Sequence, residues 1–273
     1  MKNPKVAFLL LLVFITMHVT GQKASSIYEW NWRKDGIWLG TGMGASIAGL
    51  LVGTQKTPYT ETELNHLERK DVLVLDRWAA GYYSESASVA SDYPFYASFG
   101  VPFFLLLDNK VSKESGTVIG LYLESLSTTS ALFTLTAGLV DRPRPLVFSE
   151  DAPLDRRLRK TSKRSFYSGH VAASATALFF AAKIYNDFYP NSPLRHYFWV
   201  AAFSVPATIG YLRVKAGKHY LSDIVLGYAL GALTGYLVPE LHKKTDNRFK
   251  LNGSTEMTAN GQLFTGLVLR YSF

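Results

Sequence analysis

The chain has 273 residues, 48% of them hydrophobic and 18% charged, with no cysteine and a formal net charge of +8. Disulfides and thiolate metal sites are therefore excluded. The positive balance suits anionic partners, but the basic residues sit in a few loops between apolar runs. With no recognition helix or basic tail, nucleic acid is excluded and phosphate esters or anionic lipid remain.

In chain order, Lys2 and Lys5 precede an apolar run from Val6 to Val19, and Val19-Thr20-Gly21 before Gln22 offers a small-residue cleavage site. This reads as a secretory signal over residues 1–21, with an uncleaved membrane anchor as the alternative. Removing it leaves a charge of about +6. Six apolar or amphipathic stretches follow: Ile37–Val52, Tyr93–Leu107, Thr117–Val140, His170–Tyr185, Tyr197–Arg213 and Asp223–Val238. Gly, Ser and Thr are interleaved with Leu, Ala and Phe, which lets helices approach closely. No strand alternation interrupts them. The fold class is all-α, a bundle of about six helices with a short β-like C-terminal tail.

Several boundaries are legible. Residues 76–92 read as an amphipathic surface helix. Asn191-Ser192-Pro193 marks a turn, Ser222 and Asp223 can cap the last helix, and Pro239 ends it. Residues 142–164 form a long loop with eight basic residues, Arg142, Arg144, Arg156, Arg157, Arg159, Lys160, Lys163 and Arg164; loops of that length are more often functional than idle. Gln262 to Phe273 reads as a strand, with Asn260-Gly261 as a hairpin turn. The expected organisation is a leader at 1–21, an N-terminal helix and connector at 22–89, a helical core at 90–240 and a tail at 241–273.

Three motifs lie at helix ends: Asp141-Arg142-Pro143-Arg144-Pro145, Tyr167-Ser168-Gly169-His170, and Arg213-x5-His219-x3-Asp223. In the third, His219 and Asp223 share one helical face, so the carboxylate can hold the imidazole in one tautomer and free its other nitrogen to attack an electrophile. Arg213 offers a planar fork for phosphate oxygens. In the second, Ser168 and the Gly169 amide open a helix whose N-terminus favours anions, and His170 can protonate a leaving alkoxide. In the first, two prolines keep the chain extended and aim Arg142 and Arg144.

The ordered trio resembles the type 2 phosphatidic acid phosphatase superfamily, which includes lipid phosphatases, bacterial acid phosphatases and vanadium haloperoxidases. Its pattern is Lys-x6-Arg-Pro, then Pro-Ser-Gly-His, then Ser-Arg-x5-His-x3-Asp, and the resemblance covers about residues 90–240. It implies that His219 is a nucleophile forming a phosphohistidine and that Asp223 orients it. It also implies that Arg144, Arg213, Ser168 and Gly169 hold the phosphoryl oxygens and that His170 is the acid–base group. No metal or other cofactor is implied; vanadate would be an inhibitor or, in a haloperoxidase, the cofactor. Three positions depart from the pattern: Ala137 stands for the lysine, Tyr167 for the proline and Leu212 for the serine. Ala137 removes a cation, which Lys160, Lys163 or Lys218 could supply.

The expected function is an envelope phosphatase acting on phosphate monoesters or lipid (pyro)phosphates. Alternatives are a haloperoxidase, or a weakened lipid-binding protein, which Ala137 favours. Partners are a phosphorylated lipid or small ester and the membrane. The expected location is a Gram-negative envelope, membrane-associated with a periplasm-facing site or wholly periplasmic. If the first three stretches all cross a bilayer after an exported N-terminus, the motifs face the cytoplasm instead, so one stretch must not span or the whole domain lies outside. His66, His196 and His242 read as surface histidines, Glu124 as a helix-facing polar contact, and Phe179, Phe180 and Phe188 as core or lipid contact.

Overall fold

The structure is a computed structural model and describes residues 26–244, 249–257 and 263–271. The leader and the Asn260-Gly261 turn lie outside the described residues. Six long helices appear where the six apolar stretches place them: α1 (Trp32–Thr54), α3 (Glu85–Leu105), α4 (Ser115–Leu139), α6 (Gly169–Phe188), α7 (Leu194–Lys215) and α8 (Leu221–Leu241). Two short helices, α2 (Glu61–His66) and α5 (Leu154–Leu158), lie in the connections. Residues Lys243–Phe273 form a separate unit in which β1 (Phe249–Met257) pairs antiparallel with β2 (Leu263–Tyr271), from Phe249↔Tyr271 to Met257↔Leu263.

Two boundaries move. The expected surface helix over 76–92 splits into a 3₁₀ turn, Val74–Ala79, and the start of α3, because Gly81 takes a positive φ of 97° and Ser84 caps α3 by accepting from the Ala87 amide at 3.2 Å. Pro239 does not end α8, which runs on to Leu241. The long basic loop is tied down: the Arg142 amide donates to the Lys163 carbonyl at 2.8 Å and the Arg144 amide to the Ser162 carbonyl at 2.9 Å.

Trp32–Thr54, Val111–Leu139 and Leu221–Leu241 are each long and apolar enough to cross a membrane. Large apolar side chains face outward on several helices, with Leu51 61%, Phe104 70%, Val200 63% and Val225 59% exposed. A belt of that kind marks a lipid-facing surface, and the protein is a membrane protein. Helix hydroxyls are satisfied within their own helix: Ser46 donates to the Gly42 carbonyl, Thr136 to Leu132 and Thr208 to Ser204. That is what an apolar surrounding demands.

The core at one end gathers Tyr28, Leu121, Tyr122, Phe180 and Ile184, with Phe188 at its edge; Phe179 is buried in a neighbouring cluster. At the other end, α6 and α8 meet along a seam of small residues. A Cβ on Gly227 would lie 2.7 Å from the Ser168 carbonyl, on Gly231 2.1 Å from that of Ala172, and on Gly235 2.4 Å from that of Thr176. Backbone-to-backbone approach at this spacing brings the N-termini of both helices to one place. Gly231→Val should lower the thermal midpoint of the detergent-solubilised protein, at a cost of about 1–3 kcal/mol; a midpoint unchanged within error would show that the seam yields.

Candidate active site

The three motifs converge at the end of the bundle where α4 finishes and α6 and α8 begin. His219, 3% exposed, lies in the α7–α8 connection. Its Nδ1 meets the Ser165 carbonyl at 2.6 Å. A carbonyl only accepts, so Nδ1 carries the proton and Nε2 is left as a bare lone pair. Burial, followed by the charges of Arg144 and Arg213, holds the imidazole well below its ordinary 6.5. A buried neutral imidazole with a free Nε2 is a competent nucleophile.

Asp223 does not contact this ring as the i,i+4 spacing suggests. Its Oδ2 accepts from the Ser165 hydroxyl at 2.6 Å and the Tyr220 amide at 2.9 Å, and its Oδ1 accepts from Arg142. As the third residue of α8, Asp223 closes the first turn of its own helix. It positions His219 through Ser165, whose hydroxyl it holds and whose carbonyl orients the ring.

Arg142 and Arg144 separate in role. Arg142 spans two fully buried carboxylates, reaching Asp223 and, at 2.6 Å, Asp76. Ser222 completes the set, donating its hydroxyl to Asp76 at 2.6 Å and accepting from Arg142 at 2.9 Å. Arg144 meets no carboxylate among the described residues. Burial, then the neighbouring charges of Arg213 and Arg164, pushes its guanidinium down to about 9.

Arg213 is 6% exposed, and its Nε has no hydrogen-bond partner. Its Nη1 touches Ser91 at 3.4 Å and Asp92 at 3.7 Å. The fully buried Ser168 hydroxyl has no partner either. Gly169 has no room for a side chain, since a Cβ would meet the Phe133 ring at 2.7 Å. His170 stacks on Phe95 with ring centroids 4.1 Å apart, and its Nε2 faces Asp92 at 3.3 Å. Burial, then Arg213, Arg144 and Lys218, lowers it to about 3.

Of the three lysines that could replace the missing cation, two point elsewhere. Lys160 donates to the Thr54 carbonyl at 3.4 Å, and Lys163 pairs with Glu63 at 3.4 Å over the Tyr59 ring. Lys218 is pushed down to about 8 by burial and then by Arg144 and Arg213, so it stands in their field. Its loop is pinned by Gly217, at φ 68°, where a Cβ would strike the Tyr82 carbonyl at 1.9 Å. Ala137 is fully buried.

Arg144, Arg213, Lys218, His170, His219 and Ser168 thus gather at one end of the bundle, where Asp92 is the carboxylate beside Arg213 and His170 and two buried donor atoms lack acceptors. Such a site is prepared for a tetrahedral oxyanion. Sequence reasoning read Ser222 only as a helix cap and missed Asp76, Ser91, Asp92, Phe95 and Ser165. Asp76 and Asp92 carried a signal in being charged residues flanking apolar runs; the others carried none.

Residues 119–246 match the model of the PAP2 superfamily. Among curated proteins, a lipid A 4'-phosphatase of Porphyromonas gingivalis is 28% identical over 87 residues, 32% of this chain. The matched stretch spans about a third, 34%, of that protein's length. Among solved structures, LpxE of Aquifex aeolicus matches with a TM-score of 0.43 and 21% identity, over 62% of this chain and 96% of that one. A PAP2-type phosphatidylglycerolphosphate phosphatase of Bacillus subtilis matches with a TM-score of 0.39 and 18% identity, over 88% and 96%.

The depressed imidazoles make stability depend on pH. Between 6.5 and about 3 an unfolded histidine binds a proton that folded His170 does not, and His219 behaves alike. Stability is therefore full above 6.5 and falls as the pH drops, by up to about 1.4 kcal/mol per pH unit for each imidazole. Thermal midpoints taken between pH 8 and 5 should decline below 6.5, and less steeply in His170→Gln. An equal decline in both would assign it to other groups.

Proposed function

We propose that the protein is a phosphatase that transfers a phosphoryl group from a lipid phosphate ester to His219 and then to water. The observation that carries this reading is the bare Nε2 of a buried, neutral His219 in the field of Arg144 and Arg213, with the buried Arg213 Nε and Ser168 hydroxyl left without partners. Nε2 attacks phosphorus and forms the N–P bond as the P–O bond to the leaving alkoxide breaks. Arg144, Arg213 and Lys218, with the Ser168 hydroxyl and the first amides of α6, neutralise the equatorial oxygens. A bound phosphate dianion opposes the burial and the arginine charge that keep His170 neutral, so His170 holds a proton and passes it to the leaving oxygen. Neutral again, it takes a proton from the water that attacks the phosphohistidine, releasing phosphate and restoring His219. Lys218 supplies the charge that Ala137 withholds, which supports catalysis over a binding-only role.

A lipid as substrate is supported by the membrane-compatible helices and by an apolar groove of about 420 Å³ lined by Pro94, Ala97, Val101, Leu178, Phe198 and Val205. It opens on α3, α6 and α7, the helices that carry Asp92, His170 and Arg213. The substrate named for the Porphyromonas gingivalis relative, a lipid A phosphate, is the first to assay.

Phosphate release by the purified protein from a panel of lipid phosphates should fall more than about 10³-fold in His219→Ala and about 10²–10³-fold in Arg144→Ala. Vanadate should inhibit the wild type. Full activity in His219→Ala removes the nucleophile from the scheme, and peroxide-dependent bromination with added vanadate would replace it by halide oxidation.

The site is assigned to the periplasmic face of a Gram-negative envelope, an orientation that the leader-like N-terminus does not by itself give. It lies at the C-terminal end of α1, so this orientation requires α1 to start on the cytoplasmic side. The chain has no cysteine, so a single Lys160→Cys can report sidedness. A membrane-impermeant maleimide should label it in intact spheroplasts; labelling only after lysis reverses the orientation.

A further inference from the structure

At the opposite end of α4 and α8 from the catalytic hollow lies a second cluster. Asp35 in the first turn of α1, Glu124 in α4 and His242 at the end of α8 converge from three elements, with one ligand atom of each within 4.8 Å of the others. His242 is no surface histidine: its side chain is 15% exposed, and its Nε2 lies 3.3 Å from Asp35 Oδ1 and 3.7 Å from Glu124 Oε2. Asp35 is 5% and Glu124 1% exposed.

Three observations define what the cluster lacks. Glu124 Oε2 is buried with no hydrogen-bond partner, although it points at the other two groups. Among the described residues neither carboxylate pairs with a lysine or arginine. The His242 Nδ1 faces the Val238 carbonyl at 2.7 Å. That oxygen accepts, so Nδ1 holds a proton and Nε2 faces the two carboxylates. An extra proton on Nε2 would offset one negative charge and leave the other buried. A divalent cation offsets both.

We propose that Asp35, Glu124 and His242 form a divalent metal site of the zinc type, separate from the phosphatase centre and independent of that reading. One nitrogen and two oxygens, with a fourth position for water, suit Zn²⁺, and tetrahedral ligands at about 2.0–2.2 Å stand about 3.3–3.6 Å apart. The ligands are held from behind: Nδ1 of His242 by the Val238 carbonyl, and Asp35 Oδ2 by the Asn31 amide at 2.6 Å. Such outer contacts fix the ring tautomer and the carboxylate orientation before the ion arrives. The bound ion would tie the start of α1 to α4 and the end of α8.

The full-length protein in detergent, stripped with a chelator and titrated with Zn²⁺, should bind one equivalent and unfold at a higher temperature. X-ray absorption at the zinc edge should show one imidazole among oxygen ligands. Glu124→Gln should weaken Zn²⁺ binding more than about tenfold while phosphate release stays within twofold. If Glu124→Gln does not fold, Asp35→Asn is read in the same way, and the wild-type spectrum decides by itself. No bound zinc, two imidazoles at the metal, or equal affinity in wild type and variant overturns the proposal.

Discussion

The catalytic end of the molecule depends on a single guanidinium. Arg142 bridges Asp76, which precedes α3, and Asp223, which opens α8, and both carboxylates are fully buried. Taking three charges out of water is costly, and removing one partner of such a set typically costs about 3–5 kcal/mol because the others are left uncompensated. What the bridge gives in return is position. Asp223 holds the Ser165 hydroxyl, and the Ser165 carbonyl selects the His219 tautomer. The 3₁₀ turn that carries Asp76, a basic loop and a helix start are thereby fixed to one another around His219.

The α6–α8 seam acts on the same place from below. Glycines at three successive turns of α8 let its backbone touch that of α6, so Ser168 and His170 stand beside His219. Polar groups meant for a ligand can remain unsatisfied there because the helices that carry them are secured elsewhere. The unpartnered Ser168 hydroxyl and Arg213 Nε are tolerated for that reason.

Much of this was legible in the residues. Apolar runs with interleaved small residues marked all six long helices, since burial against lipid and neighbours leaves a compositional trace. The motifs marked the catalytic end because reactive side chains at helix termini have few substitutes. Contacts across the sequence left weaker traces. The i,i+4 spacing of His219 and Asp223 suggested a direct pair, but Asp223 is drawn instead into its own helix cap and toward Arg142. Arg142 and Arg144 look alike in the chain and differ because Asp76 and Asp223, both remote in sequence, reach one of them. His242 read as a surface residue because its two carboxylate neighbours come from α1 and α4.

A cation in the α7–α8 connection, rather than at position 137 near the C-terminal end of α4, differs in more than its address. Lys218 is bonded directly to His219, so in the proposed mechanism anion capture and nucleophilic attack share a short tether pinned at Gly217. A helix-borne lysine could shift independently of the imidazole. In that mechanism any displacement of the tether would alter affinity and turnover together, coupling recognition to chemistry through a single peptide link.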